Sequence, residues 1–155
     1  MTKMRCAKRE QGIAGKGIIQ AHLSVLQKAA ELGDPEAHFK LSAMYNEGVG
    51  AEEDKGKEIH HLEEAAIGGH PDARYCLGCH EYNNGNAERA VEHWNIAATQ
   101  GNDNSIKWLL EVFKQGLMEK EDLAAALRAH KAAVDATKSP QREAAEVFYF
   151  GRRLI

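Results

Sequence analysis

Cysteine, proline and aromatic residues are all scarce in this chain, and long apolar runs are missing altogether. The three cysteines, Cys6, Cys76 and Cys79, are too few and too odd in number for a disulfide framework, so reduced thiols in an intracellular compartment are the simpler reading. Three prolines leave long stretches uninterrupted, and Ala, Glu, Lys and Leu fill them, a mixture that favours helix over strand. No run approaches the roughly 18 apolar residues a membrane helix requires, so no membrane span is expected. Basic residues (20 Lys and Arg) do not exceed acidic ones (23 Asp and Glu). The local excess of cations sits at the start, where Lys3, Arg5, Lys8, Arg9 and Lys16 face Glu10 alone. The acidic remainder lacks the clustered cations that displace counterions from nucleic acid, so no nucleic-acid partner is expected. The basic start also lacks the apolar stretch of a secretory signal and reads as a solvated terminus, with a transit peptide as the alternative.

What the chain does have is a period. Ala29-Ala30-Glu31-Leu32-Gly33 precedes Asp34-Pro35-Glu36-Ala37; Ala65-Ala66-Ile67-Gly68-Gly69 precedes His70-Pro71-Asp72-Ala73; Ala97-Ala98-Thr99-Gln100-Gly101 precedes Asn102-Asp103-Asn104-Ser105. The copies start 36 and then 32 residues apart, and a worn fourth begins at Ala132-Ala133. Each Ala-Ala pair reads as the end of a helix whose small side chains let a neighbour approach, and the following glycine suits the left-handed residue that ends a helix. Asp34, His70 and Asn102 then stand at the N-cap position, with Pro35 and Pro71 at the first helical position; His70 is the weak cap of the three.

The pattern predicts first helices over about 35–47, 71–83 and 103–115, and second helices over about 54–67, 86–99 and 121–134. Gly48, Asn84 and Gly116 close the first helices. Residues 18–32 fit the second helix of an earlier, degenerate hairpin, with Gly12 in its loop and residues 1–11 as its first helix. Ser139-Pro140 followed by Glu143 reads as an N-cap, giving a last, capping helix over 140–150. The expected fold is all-α: a right-handed superhelix, or solenoid, of stacked antiparallel hairpins in one domain over 1–155. It divides into 1–33, three repeats at 34–69, 70–101 and 102–136, and a cap at 137–155.

Ala37, Leu41, Tyr45, Gly48, Asp54, Ala65, Ala66 and Gly69, with Ala73, Leu77, Gly78, Ala90, Trp94, Ala97, Ala98 and Gly101, resemble the Sel-1-like repeat family, relatives of the tetratricopeptide repeats. The stretch from Glu58 to Trp94 is similar to a microalgal branch of that family. Ser42 and Leu110 replace the family's helix glycine, Glu81 replaces its tyrosine, and Glu58 sits where alanine is usual. The resemblance covers about 18–136 and implies a scaffold that assembles protein complexes without performing chemistry.

Several stretches imitate chemical sites. "CLGCH" (76–80) has the spacing of a haem attachment motif, and Cys76, Cys79 and His80 fall within one arc of a helix, at about 0°, 300° and 40°. Zinc would still need a fourth ligand, and haem would need room for a macrocycle and a second axial ligand. Leu77 and Gly78 are the packing residues of the repeat, so ordinary helix residues are the simpler reading, and no cofactor is expected. A small metal- or thiol-dependent protein using Cys76, Cys79 and His80 stands as the alternative function. His60 and His61 are adjacent, unlike a His-Glu-x-x-His pair, and His61 and His93 occupy the aromatic position before Ala-Ala, which points to packing. "GIAGKG" (12–17) lacks both the spacing and the Ser or Thr of a phosphate-binding loop.

The expected function is that of a non-enzymatic protein- or peptide-binding scaffold or adaptor. In tetratricopeptide repeats the first helices line the concave face. By that similarity the outward positions are Phe39, Asn46 and Glu47; Tyr75, Cys79, Tyr82 and Asn83; and Lys107, Glu111 and Lys114. Phe39, Tyr75 and Tyr82 would supply apolar anchors, and the asparagines hydrogen bonds to an extended backbone.

Overall fold

A computed structural model describes residues 15–151, with side chains as far as residue 138. The described residues form seven helices and no strand: α1 (Lys16–Glu31), α2 (Pro35–Glu47), α3 (Lys55–Ile67), α4 (Pro71–Asn83), α5 (Ala87–Thr99), α6 (Asp103–Lys114) and α7 (Lys120–Gly151). The expected helix over 1–11 and the loop glycine Gly12 lie outside the described residues.

The recurring Ala-Ala-x-x-Gly motif has a backbone reason. At the end of α1, α3 and α5 the residue after the glycine donates its N–H back to the first alanine's carbonyl: Asp34 to Ala29 (3.1 Å), His70 to Ala65 (3.0 Å) and Asn102 to Ala97 (3.0 Å). Gly33, Gly69 and Gly101 donate to the second alanine, Ala30, Ala66 and Ala98. This paired closure needs a left-handed residue, and the three glycines have φ of 84°, 87° and 86°. Any side chain there would meet the left-handed penalty of about 1–2 kcal/mol.

The residue after each glycine then starts the next helix. Asp34 accepts from the Glu36 N–H at 3.1 Å, and Asn102 from the Ser105 N–H at 2.8 Å. His70, the weak cap by residue type, nevertheless caps α4: its Nδ1 accepts from the Ala73 N–H, though at a long 3.4 Å. For Nδ1 to accept, Nε2 must carry the proton, and Nε2 lies 2.9 Å from Glu36 Oε2, the carboxylate that receives it. Asn102 repeats the arrangement one hairpin later, donating from Nδ2 to Asp72 Oδ1 at 2.7 Å. Glu36 and Asp72 hold equivalent positions in the first turns of α2 and α4. His70 and Asn102 therefore each start their own helix and tie it to the hairpin before.

Helices α2 and α3 pack as one antiparallel hairpin and α4 and α5 as the next; α3 against α4 and α5 against α6 join successive hairpins. Helix α1 packs on α2, and α7 lies on both α5 and α6. Ala65 and Ala97 are fully buried, as expected of close helix contacts. Among the described residues the core has three clusters: one around Leu26, Leu41 and Tyr45, one around Leu62, Ala65 and Leu77, and the largest around Trp94, Leu109 and Val112. Burying each such large apolar side chain contributes about 1.5–3 kcal/mol.

The C-terminal end departs from expectation. No separate helix begins at Ser139-Pro140; α7 runs through both to Gly151. An interior proline removes one donor and costs about 3 kcal/mol, yet the helix continues through it. Ala132-Ala133, the worn fourth copy, does not end a helix, and Ala132 is exposed.

Candidate functional site

The first helices carry the expected binding positions, and the structure places them unequally. Phe39 on α2 and Tyr75 on α4 are equivalent in the repeat, and both are half-buried. Phe39 packs against the Leu62–Leu77 cluster and stacks on His70, with centroids 4.3 Å apart. Tyr75 packs against the Trp94 cluster and lends its carbonyl to the Trp94 indole N–H at 3.3 Å. Lys107, the third member of the series, is exposed. Tyr82 is half-buried between Trp94 and Trp108 (5.7 and 5.9 Å), and its hydroxyl donates to Gln115 Oε1 at 3.1 Å. Among the polar positions Asn46 and Glu47 are half-buried and Asn83 is exposed. Glu111 and Lys114 face each other at 3.6 Å, an exposed pair of small energetic weight.

Cys79 departs from its expected place on an open face. It is 4% exposed and lies in the largest core cluster with Trp94, Leu109 and Val112. Trp108 of α6 packs against the same cluster, and its equivalent in α4 is Cys76. One repeat earlier the counterpart of Cys79, Ala43, is exposed.

The rest of "CLGCH" resolves along similar lines. Gly78 faces the Trp94 indole; a Cβ built on it would stand 2.6 Å from Trp94 Cδ1 and closer still to Nε1. Leu77 is core, Cys76 packs half-buried against the Leu62 cluster, and His80 Nε2 accepts from Asn84 Nδ2 at 3.0 Å. Cys79 and His80 thus have different neighbours. Among the described residues no group of three or more His, Cys, Asp or Glu side chains converges as a metal site would require.

The packing role expected of the repeat's histidines does not exhaust them. On the seam between α2 and α3, His38 Nδ1 and His61 Nδ1 face each other at 2.9 Å. The His61 ring lies parallel to Tyr45, centroids 5.6 Å apart and 5° between planes, and Lys57 Nζ sits over that tyrosine at 5.1 Å. Burial, with the charges of His38 and His60 next, holds His61 down to a pKa of about 4. The corresponding seam between α4 and α5 has Arg74 in place of His38, His93 in place of His61, Glu81 in place of Tyr45 and Arg89 in place of Lys57. There Arg89 pairs with Glu81 at 3.2 Å. Arg74 Nε and His93 Nδ1 are buried and meet no hydrogen-bond partner among the described residues. Burial first, and then the Arg74 charge, lowers the His93 pKa. In α6 the positions of Arg74 and Glu81 are taken by Ile106 and Phe113, both apolar. His38 escaped the sequence reading because a single histidine on a helix carries no signal of its own. Superimposing the repeats, which puts His38 over Arg74, is the signal that singles it out.

The buried Glu58, at the position where alanine is usual, is answered by Lys55 Nζ at 2.7 Å. Glu88, Glu119 and Asp122 rim a cleft of about 450 Å³ floored by Val91, Leu117 and Met118. All three acids lie in or next to the first turns of α5 and α7, where negative charge complements the helix dipole. No protein-family model matches the chain, and no curated protein matches it.

Proposed function

We propose that the chain is a non-enzymatic protein- or peptide-binding scaffold of the Sel-1-like repeat kind, its hairpins stacked in a right-handed superhelix with the first helices lining the concave face. The observation that carries the reading is the pair Phe39 and Tyr75. They hold equivalent positions on successive first helices, and each keeps part of an aromatic ring at the surface. A side chain with one face in the core and one in water is rigid, so it loses little entropy when a partner covers it. The all-helical, hairpin-by-hairpin packing supports the repeat architecture, and the caps that tie α2 to α4 and α4 to α6 support a fixed spacing between anchors. Tyr82, Asn46, Glu47, Asn83, Lys107, Glu111 and Lys114 would border the same face, while buried Cys79 would not.

Affinity capture from native cell extract, followed by the binding strength of a captured partner, tests the reading. Anchors of this kind often carry about 2 kcal/mol or more each. Replacing Phe39 and Tyr75 together by Ala should weaken binding at least tenfold while the far-ultraviolet spectrum stays helical. Binding that survives this change but is lost in Cys76→Ser would move the function to the thiol segment and sink the proposal.

A further inference from the structure

By the period of the sequence α1 aligns with the second helices α3 and α5, so Ala29 answers to Ala65 and Ala97, and Val25 to His61 and His93. Helices α3 and α5 each pair with a first helix of their own, and there Ala65 and Ala97 are fully buried. Among the described residues α1 has no such helix; it packs on α2 through Leu23, Leu26 and Ala30. Its other face is open, with Ile18 71% exposed, Val25 63% and Leu32 89%. Large apolar side chains aligned on one stripe, unlike singly scattered ones, mark a contact surface. The stripe is also symmetric about Val25. At 100° per residue, Ile18 and Leu32 lie about 20° to either side of it, Ala21 and Ala29 about 40°, and His22 and Lys28 about 60°.

We propose that α1 pairs with α1 of a second copy of this chain, antiparallel and with Val25 on the two-fold axis. A two-fold contact must be complementary to itself. Here Ile18 meets Leu32 of the second copy, Ala21 meets Ala29, and Val25 meets its own counterpart, so apolar faces apolar and small faces small. His22 meets Lys28 at the rim, where the lysine stem covers apolar surface and its charge keeps to water. Steps of seven residues hold such a stripe against its partner when two helices cross at about 20°. The charges select the direction. Antiparallel pairing sets Lys16 beside Asp34 of the second copy, with Glu31 one turn away, whereas parallel pairing would set Lys16 on Lys16 and Lys28 on Lys28. It also opposes the two helix dipoles. The sequence-expected occupant of this face, the helix over 1–11, brings Lys3, Arg5, Lys8 and Arg9 and only Met1 and Met4 as large apolar residues, a poorer match to the stripe. Two 16-residue helices meeting along one stripe fall near or below the roughly 1,200 Å² at which stable interfaces begin, so the pair is a transient one. It is independent of the concave-face reading, since α1 is not one of the first helices.

Sedimentation equilibrium of the full chain, from micromolar to submillimolar concentration and with a reductant present, tests the pairing. A monomer–dimer equilibrium is expected, with a dissociation constant in the tens of micromolar. Val25→Glu puts two carboxylates on the axis and should weaken it at least tenfold, while Gln27→Glu, on the opposite side of α1, should leave it unchanged. Val25→Cys, oxidised with glutathione disulfide, should link two chains through position 25, as read by peptide mass, and Gln27→Cys should not link them through position 27. A chain monomeric throughout, association unmoved by Val25→Glu, or no link at position 25 would overturn the proposal. So would a monomer that Val25→Glu destabilises, since the chain's own start would then cover the face.

Discussion

Gly78→Ala is the smallest change that reaches the largest core cluster. In an exposed helix the substitution would stabilise, by about 1 kcal/mol, because alanine loses less backbone freedom. Here the new methyl would lie 2.6 Å from Trp94 Cδ1, well inside van der Waals contact. The indole cannot swing aside easily: Trp94 is fully buried, Trp108 stacks on it at 5.8 Å, and its N–H is committed to the Tyr75 carbonyl. Overpacking of a tight core costs about 1–3 kcal/mol, and the upper part of that range applies where the neighbour is a boxed-in ring. A weakened indole hydrogen bond adds up to about 1 kcal/mol. Set against the gain in helix propensity, the expected net loss is about 2 kcal/mol. Urea denaturation followed by circular dichroism would read it as a lower midpoint at unchanged slope. The cause is isolated by a double-mutant cycle: in a Trp94→Leu background the added methyl should cost much less, giving a coupling of at least about 1 kcal/mol. A midpoint that rises with Gly78→Ala, or a cycle with no coupling, would show that Gly78 is not there to admit the indole.

Ala65→Leu or Ala97→Leu should each lower stability by about 1–3 kcal/mol, because both sites are fully buried at helix contacts; denaturation midpoints unmoved by either change would disprove the close approach. The depressed His61 pKa sets a pH dependence. Between the unfolded value near 6.5 and the folded value of about 4, the unfolded chain binds a proton that the folded chain refuses, so stability falls as pH is lowered through that window. Discounted for the ring's partial exposure, the loss is on the order of 1 kcal/mol. Thermal midpoints between pH 7 and 5 should fall less in His61→Gln than in the parent, and equal slopes would refute the assignment.

The helices were legible because their ends are marked by chemistry that acts locally. Gly33, Gly69 and Gly101 announce the left-handed closure, and Asp34, Asn102 and the prolines announce the next start; the helices observed at Pro35–Glu47 and Pro71–Asn83 begin and end where those signals put them. At Ser139-Pro140 the same local signals misled, since the helix begun at Lys120 continues through them. The candidate surface was less legible, for it depends on what the next hairpin brings. Phe39 and Tyr75 follow the repeat, but Cys79 lies in a core cluster that Leu109 and Val112 of the next hairpin help to build, a fact no window around Cys79 contains. The His38–His61 contact crosses two helices and a loop, and only the register of the hairpin puts the two rings face to face.

His70 and Asn102 each serve two helices with one side chain. A repeat cut out of the chain would therefore lose more than a neighbour's apolar surface. Excised on its own, the hairpin of α4 and α5 would keep His70 as a cap but strip it of the carboxylate that fixes its proton on Nε2, so the ring would be free to take the Nδ1–H tautomer, and a protonated Nδ1 cannot accept the Ala73 N–H. The start of one helix is in this sense written partly in the previous hairpin. Melting is thereby passed along the chain at each joint, and a fraying first hairpin is felt as a loosened first turn in the second.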